Sequence, residues 1–263
     1  MRVLQVGFGQ IGREIALSYM VPLAERGHEF FITDLYKPVP EGFEWDDQPV
    51  DIAVIVVNTP AAAAHGSGDG FDYSDLLTAV RTYLAHAKFI LIRSTVGPHF
   101  FETALYRAHA ERIGLAPEFY GATKWSRRAV LDMGFSIFTG NTPRWFREAT
   151  AGGTDIIIGT PREVALAKLA ENAYLATKVT FFHELQIAAE RMGIDGEVVR
   201  SIVTADPRIG PSHSFLEEPG WQSHCFDKDV PAYARAVDSY VVQSAVIANQ
   251  RLLAMRNTGD ESA

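Results

Sequence analysis

The first thirty-four residues constrain the fold more than any other part of the chain. Arg2 to Val6 reads as a short buried strand and runs at once into Gly7-Phe8-Gly9-Gln10-Ile11-Gly12, after which Arg13 to Arg26 reads as a helix. In a strand, G-x-G-x-x-G and helix taken in that order, the glycines permit a tight turn and let a pyrophosphate approach backbone N–H groups at the helix start. Glu29 to Asp34 then reads as a second strand ending in an acid at the spacing of a ribose-binding carboxylate. Such a group accepts both ribose hydroxyls and repels a 2′-phosphate, which favours NAD over NADP. A Gly-rich turn also joins strand to helix with no ligand, and Asp34 taken alone is equally a cap for a helix or turn. It is the glycines, their context and the acid together that point to a nicotinamide-type site.

The next segments extend the same pattern. Asp51 to Val57 is nearly continuous β-branched apolar sequence, the mark of a parallel strand buried on both faces, and it ends at Asn58-Thr59-Pro60. A Gly- and Ser-rich loop from Ala61 to Tyr73 leads to a helix over Asp75 to His86. A further strand, Phe89 to Ile92, ends in Arg93-Ser94-Thr95-Val96-Gly97-Pro98. Two apolar strands that each end in a Thr-containing, Pro-terminated turn build one face of a crevice at the carboxyl edge of a sheet. Locally, Thr95 reads equally as a cap for a following helix. Leu115-Ala116-Pro117-Glu118-Phe119 opens a long region expected to be irregular, rich in Lys124, Trp125, Arg127, Arg128, Arg144, Trp145 and Arg147, before a strand at Asp155 to Gly159. The plain account of that region is a solvated loop with tryptophan anchors.

From Pro161 the chain turns helical. Arg162 to Met192 carries apolar residues at helical intervals, with Lys168 and Asn172 four apart on one face. Gly196 to Val203 is a shorter helix, Asp206 to Gly210 a turn, Val230 to Met255 a last helical region, and residues 256–263 a polar tail. Between them lies the only cysteine, Cys225, in Trp221-Gln222-Ser223-His224-Cys225-Phe226-Asp227-Lys228-Asp229. A single thiol forms no intramolecular disulfide, so it is either a small hydrophobe or a reactive group. Its polar setting after Pro219-Gly220, with Lys228 and His224 close in sequence, suits a thiolate nucleophile.

Composition narrows the function classes. The chain has 263 residues, 47% hydrophobic and 21% charged, with a net charge of −8. An acidic chain is a poor non-specific binder of nucleic acid. No apolar run is long enough for a bilayer, and the eight histidines show no metal-ligand spacing. Because Met1 runs straight into the first strand, no signal peptide is expected. With one cysteine as well, a cytoplasmic protein with no nucleic-acid or membrane partner is expected.

Taken together, GFGQIG with Asp34, VNTP at 57–60, STVGP at 94–98 and PEF at 117–119 resemble the UDP-glucose/GDP-mannose dehydrogenase family. KLAENAYLATK from Lys168, DPRIG from Asp206 and CFDKD from Cys225 continue the likeness in the family's order, to about residue 250. The resemblance implies an α/β fold class: an N-terminal Rossmann dinucleotide-binding domain over 1–160 and an all-helical dimerisation and substrate domain over 161–255, with the active site between them. It implies NAD as cofactor, held by Gly7, Gly9, Gln10, Ile11, Gly12, Asp34, Thr59 and Thr95. It also implies a homodimer acting on a small-molecule substrate, a sugar or nucleotide sugar.

Members of this family oxidise a primary alcohol to a carboxylate in two steps. The second step needs the aldehyde to carry a removable hydride, which a thiol supplies by forming a thiohemiacetal; its oxidation gives a thioester that water hydrolyses. By resemblance Cys225 is the nucleophile, Lys168 stabilises the oxyanion, Asn172 adds a donor, Thr95 and Asp229 hold or activate water, and Glu118 assists hydrolysis. Arg208 is a substrate contact on the same ground. The departures are specific. Family members carry a third, nucleotide-gripping domain, and this chain is expected to lack it. Gln222 and Ser223 replace two glycines that lie against the sugar, and the basic segment with Arg127 and Arg128 is expected to supply anion-binding donors in place of the third domain. The alternatives are a two-electron β-hydroxyacid-type dehydrogenase and a non-catalytic NAD-binding protein or partner subunit.

Overall fold

The computed structural model describes residues 1–62, 68–119, 122–123, 126–127 and 134–258, with the backbone alone at 122–123, 126–127 and 257–258. The described residues fall into two compact units, Met1–Lys168 and Leu169–Ala263.

In the first unit, strand β1 (Arg2–Val6), helix α1 (Gln10–Glu25), β2 (Glu29–Thr33), β3 (Val50–Ile55), α2 (Ser74–Leu84), β4 (Ala87–Ile92), α3 (Ala104–His109) and β5 (Ile113–Leu115) follow one another. The five strands form one parallel sheet in the order β2-β1-β3-β4-β5. The apolar runs become strands because both faces are covered. Val3, Ile52, Val54 and Leu91 sit in one core cluster with Ile15, Tyr19 and Leu23 of α1. One rule of the pattern is relaxed between β2 and β3. Residues 34–49 contain no helix; Phe43 O instead accepts the Ile32 N–H at 2.7 Å, and Trp45 packs on Tyr83 and His86 with ring centroids 5.7 and 5.3 Å away.

The region after Phe119 departs from the expectation of irregular chain. Beyond a short antiparallel pair, β6 (Ala122–Thr123) and β7 (Ser126–Arg127), it holds β8 (Phe135–Thr139), α4 (Arg144–Thr150) and β9 (Asp155–Gly159), with β8 and β9 paired in parallel. Trp145 is thus a helical residue, stacked edge-on against Phe146 and His28, not an anchor in a loop. β8 is tied to the main sheet by a side chain, since the Leu115 N–H donates to Thr139 Oγ1 at 2.9 Å.

Helix α5 (Pro161–Met192) begins where the helical half was expected to begin, and the division between the two compact units falls inside it, after Lys168. α6 (Gly196–Thr204), α7 (Phe226–Ala236) and α8 (Tyr240–Thr258) complete the second unit. The small residues Ala173 and Ala176 of α5 let Trp221, Val230 and Ala234 pack closely against it. The single last helical region expected from Val230 to Met255 is two helices. Asp238 breaks it with φ +48°, and Ser239 restarts it by accepting the Val242 N–H on Oγ.

Candidate active site

Because the five strands run parallel, their carboxyl ends bring the chain's glycine turn, Asp34, Thr59, Thr95 and Glu118 to one edge of the sheet. The glycines there are required by close approach. Gly7 has φ +104°, and a Cβ on it would stand 2.1 Å from Val56 O; a Cβ on Gly12 would stand 2.4 Å from Gly7 O. A Cβ on Gly9, by contrast, would meet only Lys37 Nζ, at 3.9 Å, so the face over the start of α1 is open. Asp34 accepts the Phe8 N–H on Oδ2 at 2.6 Å and the Tyr36 and Lys37 N–H groups on Oδ1 at 2.8 and 2.9 Å. Partial burial works to raise its pKa, but these N–H donors prevail and the carboxyl is held below its ordinary value. The turn-cap role and the ribose role are therefore compatible, since Oδ2, which accepts a single N–H, keeps a second lone pair. The open glycine face, the N–H groups of the first turn of α1 and a carboxylate at the end of β2 fit a dinucleotide such as NAD.

The two Thr-containing turns are stitched together. Thr59 Oγ1 donates to Thr95 O at 2.8 Å, and Ser94 Oγ donates to Val57 O at 2.7 Å while accepting the Val57 N–H. Thr95 does not cap the following 3-10 turn, whose N-cap is Gly97. A buried carboxylate that sequence reasoning passed over braces this edge: Asp69 accepts from Tyr73 Oη at 2.7 Å and from the His99 N–H at 3.0 Å, and Tyr73 Oη accepts the Gly97 N–H. Its signal was an acid set directly between two glycines, Gly68 and Gly70.

Glu118 is engaged by Arg93, both side chains being buried. Arg93 also lies 5.7 Å from the Tyr19 ring centroid. Burial opposes the Arg93 charge, yet Tyr19 and Glu118 hold its pKa above the ordinary value. Burial likewise raises the Tyr19 phenol, against the pull of Arg93. Lys168 is buried, with Nζ 4.5 Å from the Phe119 ring centroid. Of the basic segment, Arg128 and the side chain of Arg127 lie outside the described residues, as do Lys124 and Trp125.

In the second unit the conspicuous feature is a buried polar group. Asp229, fully inaccessible, accepts from Asn172 Nδ2 at 2.7 Å on one oxygen and from Lys228 Nζ at 2.6 Å on the other. Lys228, expected to favour a thiolate, is thus committed to Asp229. Cys225 is exposed at the start of α7, and its carbonyl accepts the Asp229 N–H at 2.9 Å, so thiol and carboxylate are one helical turn apart. Ser223 serves the helix that follows it. Its Oγ accepts the Phe226 N–H at 3.0 Å while Asp227 accepts the Ser223 N–H at 3.1 Å, a reciprocal cap for α7. Gln222 Oε1 accepts from Arg256 at 2.9 Å.

The loop before Cys225 is clamped. Gly220 N–H donates to His183 Nδ1 at 3.0 Å, Trp221 N–H to Asn249 Oδ1 at 2.6 Å, and the Trp221 indole to Thr180 at 3.0 Å. Arg208 lies at the surface, paired with Asp206, on a turn whose carbonyls at Ile209 and Gly210 accept from Lys178. Among the described residues no cluster of His, Cys, Asp and Glu could hold a metal, and no helix is long and apolar enough to cross a membrane.

A parallel sheet carrying a glycine turn and a terminal acid, followed by a helical unit with a thiol one turn from a buried Asn–Asp pair, defines a two-unit protein of the Rossmann-type α/β class. Residues 162–253 match the family model described as UDP-glucose/GDP-mannose dehydrogenase family, central domain. The chain is 27% identical over 199 residues to a UDP-glucose 6-dehydrogenase of Streptococcus pneumoniae, covering 68% of this chain and 50% of that one. Its fold is similar to that of a UDP-glucose dehydrogenase from Pyrobaculum islandicum, with a TM-score of 0.76 at 22% identity over 95% of this chain and 68% of that one. It is similar too to a UDP-D-ManNAc dehydrogenase from Pyrococcus horikoshii, with a TM-score of 0.76 at 17% identity over 97% of this chain and 69% of that one. The family-level match is that of the central-domain segment, residues 162–253. It spans about half the length of the Streptococcus relative.

Proposed function

We propose that the chain acts as an NAD-dependent dehydrogenase that oxidises a primary alcohol of a sugar or nucleotide sugar to a carboxylate through a covalent adduct on Cys225. The observation that carries this reading is the buried Asn172–Asp229 pair, drawn from positions 57 apart in sequence to the turn that follows the thiol. A buried carboxylate and amide are costly to a helical core unless bonded, and α7 places the Asp229 carboxylate one turn beyond Cys225, where Asn172 of α5 meets it. Gly7, Gly9, Gln10, Ile11, Gly12, Asp34, Thr59 and Thr95 would hold NAD, which supplies the hydride acceptor when bound.

The rest is the work of the chain's own groups. The Cys225 thiolate adds to the aldehyde carbon, the C–S bond forming as the carbonyl π pair moves to oxygen and takes up a proton. Lys168 stabilises that oxygen while it is anionic, and Asn172 adds a hydrogen-bond donor. Loss of the hydroxyl proton from the adduct oxygen, together with a hydride from its carbon to the bound acceptor, leaves a thioester. Water, oriented by Thr95, Asp229 and Glu118, then adds to the acyl carbon and expels the thiolate, giving the carboxylate. Glu118, buried against Arg93, serves as an acceptor for that water.

Arg208, Gln222, Ser223, Arg127 and Arg128 remain the proposed substrate contacts, with Ser223 also capping α7. A homodimer through α5 belongs to the same reading: Leu166, Tyr174 and Phe181 are exposed along it at helical spacing. The deciding experiment measures NADH against carboxylate with UDP-glucose as the first probe, other nucleotide sugars following by thermal shift. Two NADH per carboxylate, with the second oxidation lost in Cys225→Ala, is the expected result. One NADH per substrate, unchanged by that substitution, overturns the thioester route in favour of two-electron chemistry.

A further inference from the structure

Gln5 is fully buried in β1, between Leu4 and Val6, in a strand flanked by β2 and β3. A β-branched apolar residue would serve the strand better, because a primary amide taken out of water is costly unless its hydrogen bonds are made. The Gln5 donors are directed at the glycine turn. Nε2 donates to Gly7 O at 2.9 Å and to Gly12 O at 2.7 Å, joining the first and third glycines of the motif. Nε2 would also stand 3.3 Å from a Cβ on Gly12, so the absence of a side chain there makes room for this bond.

The Gly7–Phe8 peptide is held from both sides. A trans peptide directs its C=O and N–H in opposite directions. Gln5 holds the oxygen end, and the N–H end donates to Asp34 Oδ2 at 2.6 Å. The Gly7 N–H is fixed in turn by Thr33 O at 2.9 Å, the residue before Asp34. Orientation of the amide in β1 is therefore transmitted to the carboxylate at the end of β2.

We propose that Gln5 is a positioning residue for the dinucleotide: by fixing the Gly7–Phe8 peptide and the first turn of α1, it presets both the turn N–H groups and the Asp34 carboxylate. This rests on the reading of the chain as an NAD binder and adds a residue to it. The test measures NAD and NADP binding by calorimetry, and thermal unfolding, for the unmutated protein, Gln5→Leu and Gln5→Met. Losing one such bond in a preset site raises the NAD dissociation constant about tenfold, and the ratio of NADP to NAD dissociation constants narrows. A residue that only supports the fold would shift the melting temperature and leave that ratio unchanged. Should the apolar variants not fold, the isosteric Gln5→Glu, which presents a carboxylate to two carbonyl oxygens, carries the same measurement. Unaltered NAD affinity and ratio in a folded variant overturn the role of Gln5 alone. Failure of the unmutated protein to bind NAD overturns the cofactor reading and this inference with it.

Discussion

Asp229→Ala is the sharpest probe of the second unit. Its side chain is 1% exposed and that of Lys228 11%, and both carboxylate oxygens are engaged. Truncation removes the acceptor of Asn172 Nδ2 and the carboxylate that meets the largely buried Lys228 ammonium. Breaking a buried ion pair by removing one partner costs about 3–5 kcal/mol, a large share of the roughly 5–15 kcal/mol that holds a domain folded. Asp229→Asn keeps an acceptor oxygen and the shape but loses the charge, and costs less, about 1–3 kcal/mol. Replacing both partners, Lys228→Met with Asp229→Leu, removes the two charges together and costs less than Asp229→Ala alone. Urea unfolding followed by far-UV circular dichroism reads all three, with no substrate needed. A cost below about 1 kcal/mol for Asp229→Ala would refute the claim that this carboxylate organises the unit.

Asp34→Ala should erode the preference for NAD, measured as the ratio of dissociation constants; equal binding of NADP by the unmutated protein removes the reason for that acid. Arg93→Met should destabilise by about 3 kcal/mol or more, and Glu118→Gln in the same chain should recover part of the loss; strictly additive effects in denaturant titrations would show that the pair is uncoupled. His183 and His213 are both held below the ordinary imidazole range, chiefly by burial, with Lys178 adding to the effect at His213 and Glu217 opposing it at His183. A depressed folded pKa means that the unfolded chain takes up the proton first, so stability falls as pH drops below about 6.5 and continues to fall until the folded pKa values are reached. His183→Asn, which keeps an acceptor for Gly220, should make that acid loss shallower; an unchanged slope between about pH 7 and about pH 5 counts against the assignment.

Much of the first unit was legible because its signals are local. Val54, Ile55 and Leu91 announce buried strands by composition, and Gly7 to Gly12 followed by Asp34 announces by spacing the strand, turn and helix order at the carboxyl edge of the sheet. What escaped depends on contacts distant in sequence. Gln5 looks like a misplaced polar residue until Gly12 folds back to it, and Arg93 and Glu118 meet across 25 positions. α4 was hidden because its arginines and tryptophan read as loop composition, although Pro143 immediately before Arg144 is a usable start signal. The break between α7 and α8 was marked by Asp238-Ser239, a turn and cap pair inside an otherwise continuous helical pattern. At the thiol the sequence pointed to the residue types, but it could not show that Lys228 answers to Asp229, or that Ser223 is needed as a cap.

The clamp on Trp221 gives the protein an optical handle. Its indole is buried, bonded through Nε1 to Thr180 and set edge-on to Phe226, the residue after Cys225. The chain has four tryptophans; with the other three changed to Phe, the remaining emission comes from a ring in one rigid, dry setting four positions before the thiol. Alkylation or adduct formation at Cys225 would then register as a shift in intensity or wavelength in real time, with no added dye. Protonation of His183, which frees the Gly220 N–H beside that ring, would register in the same channel.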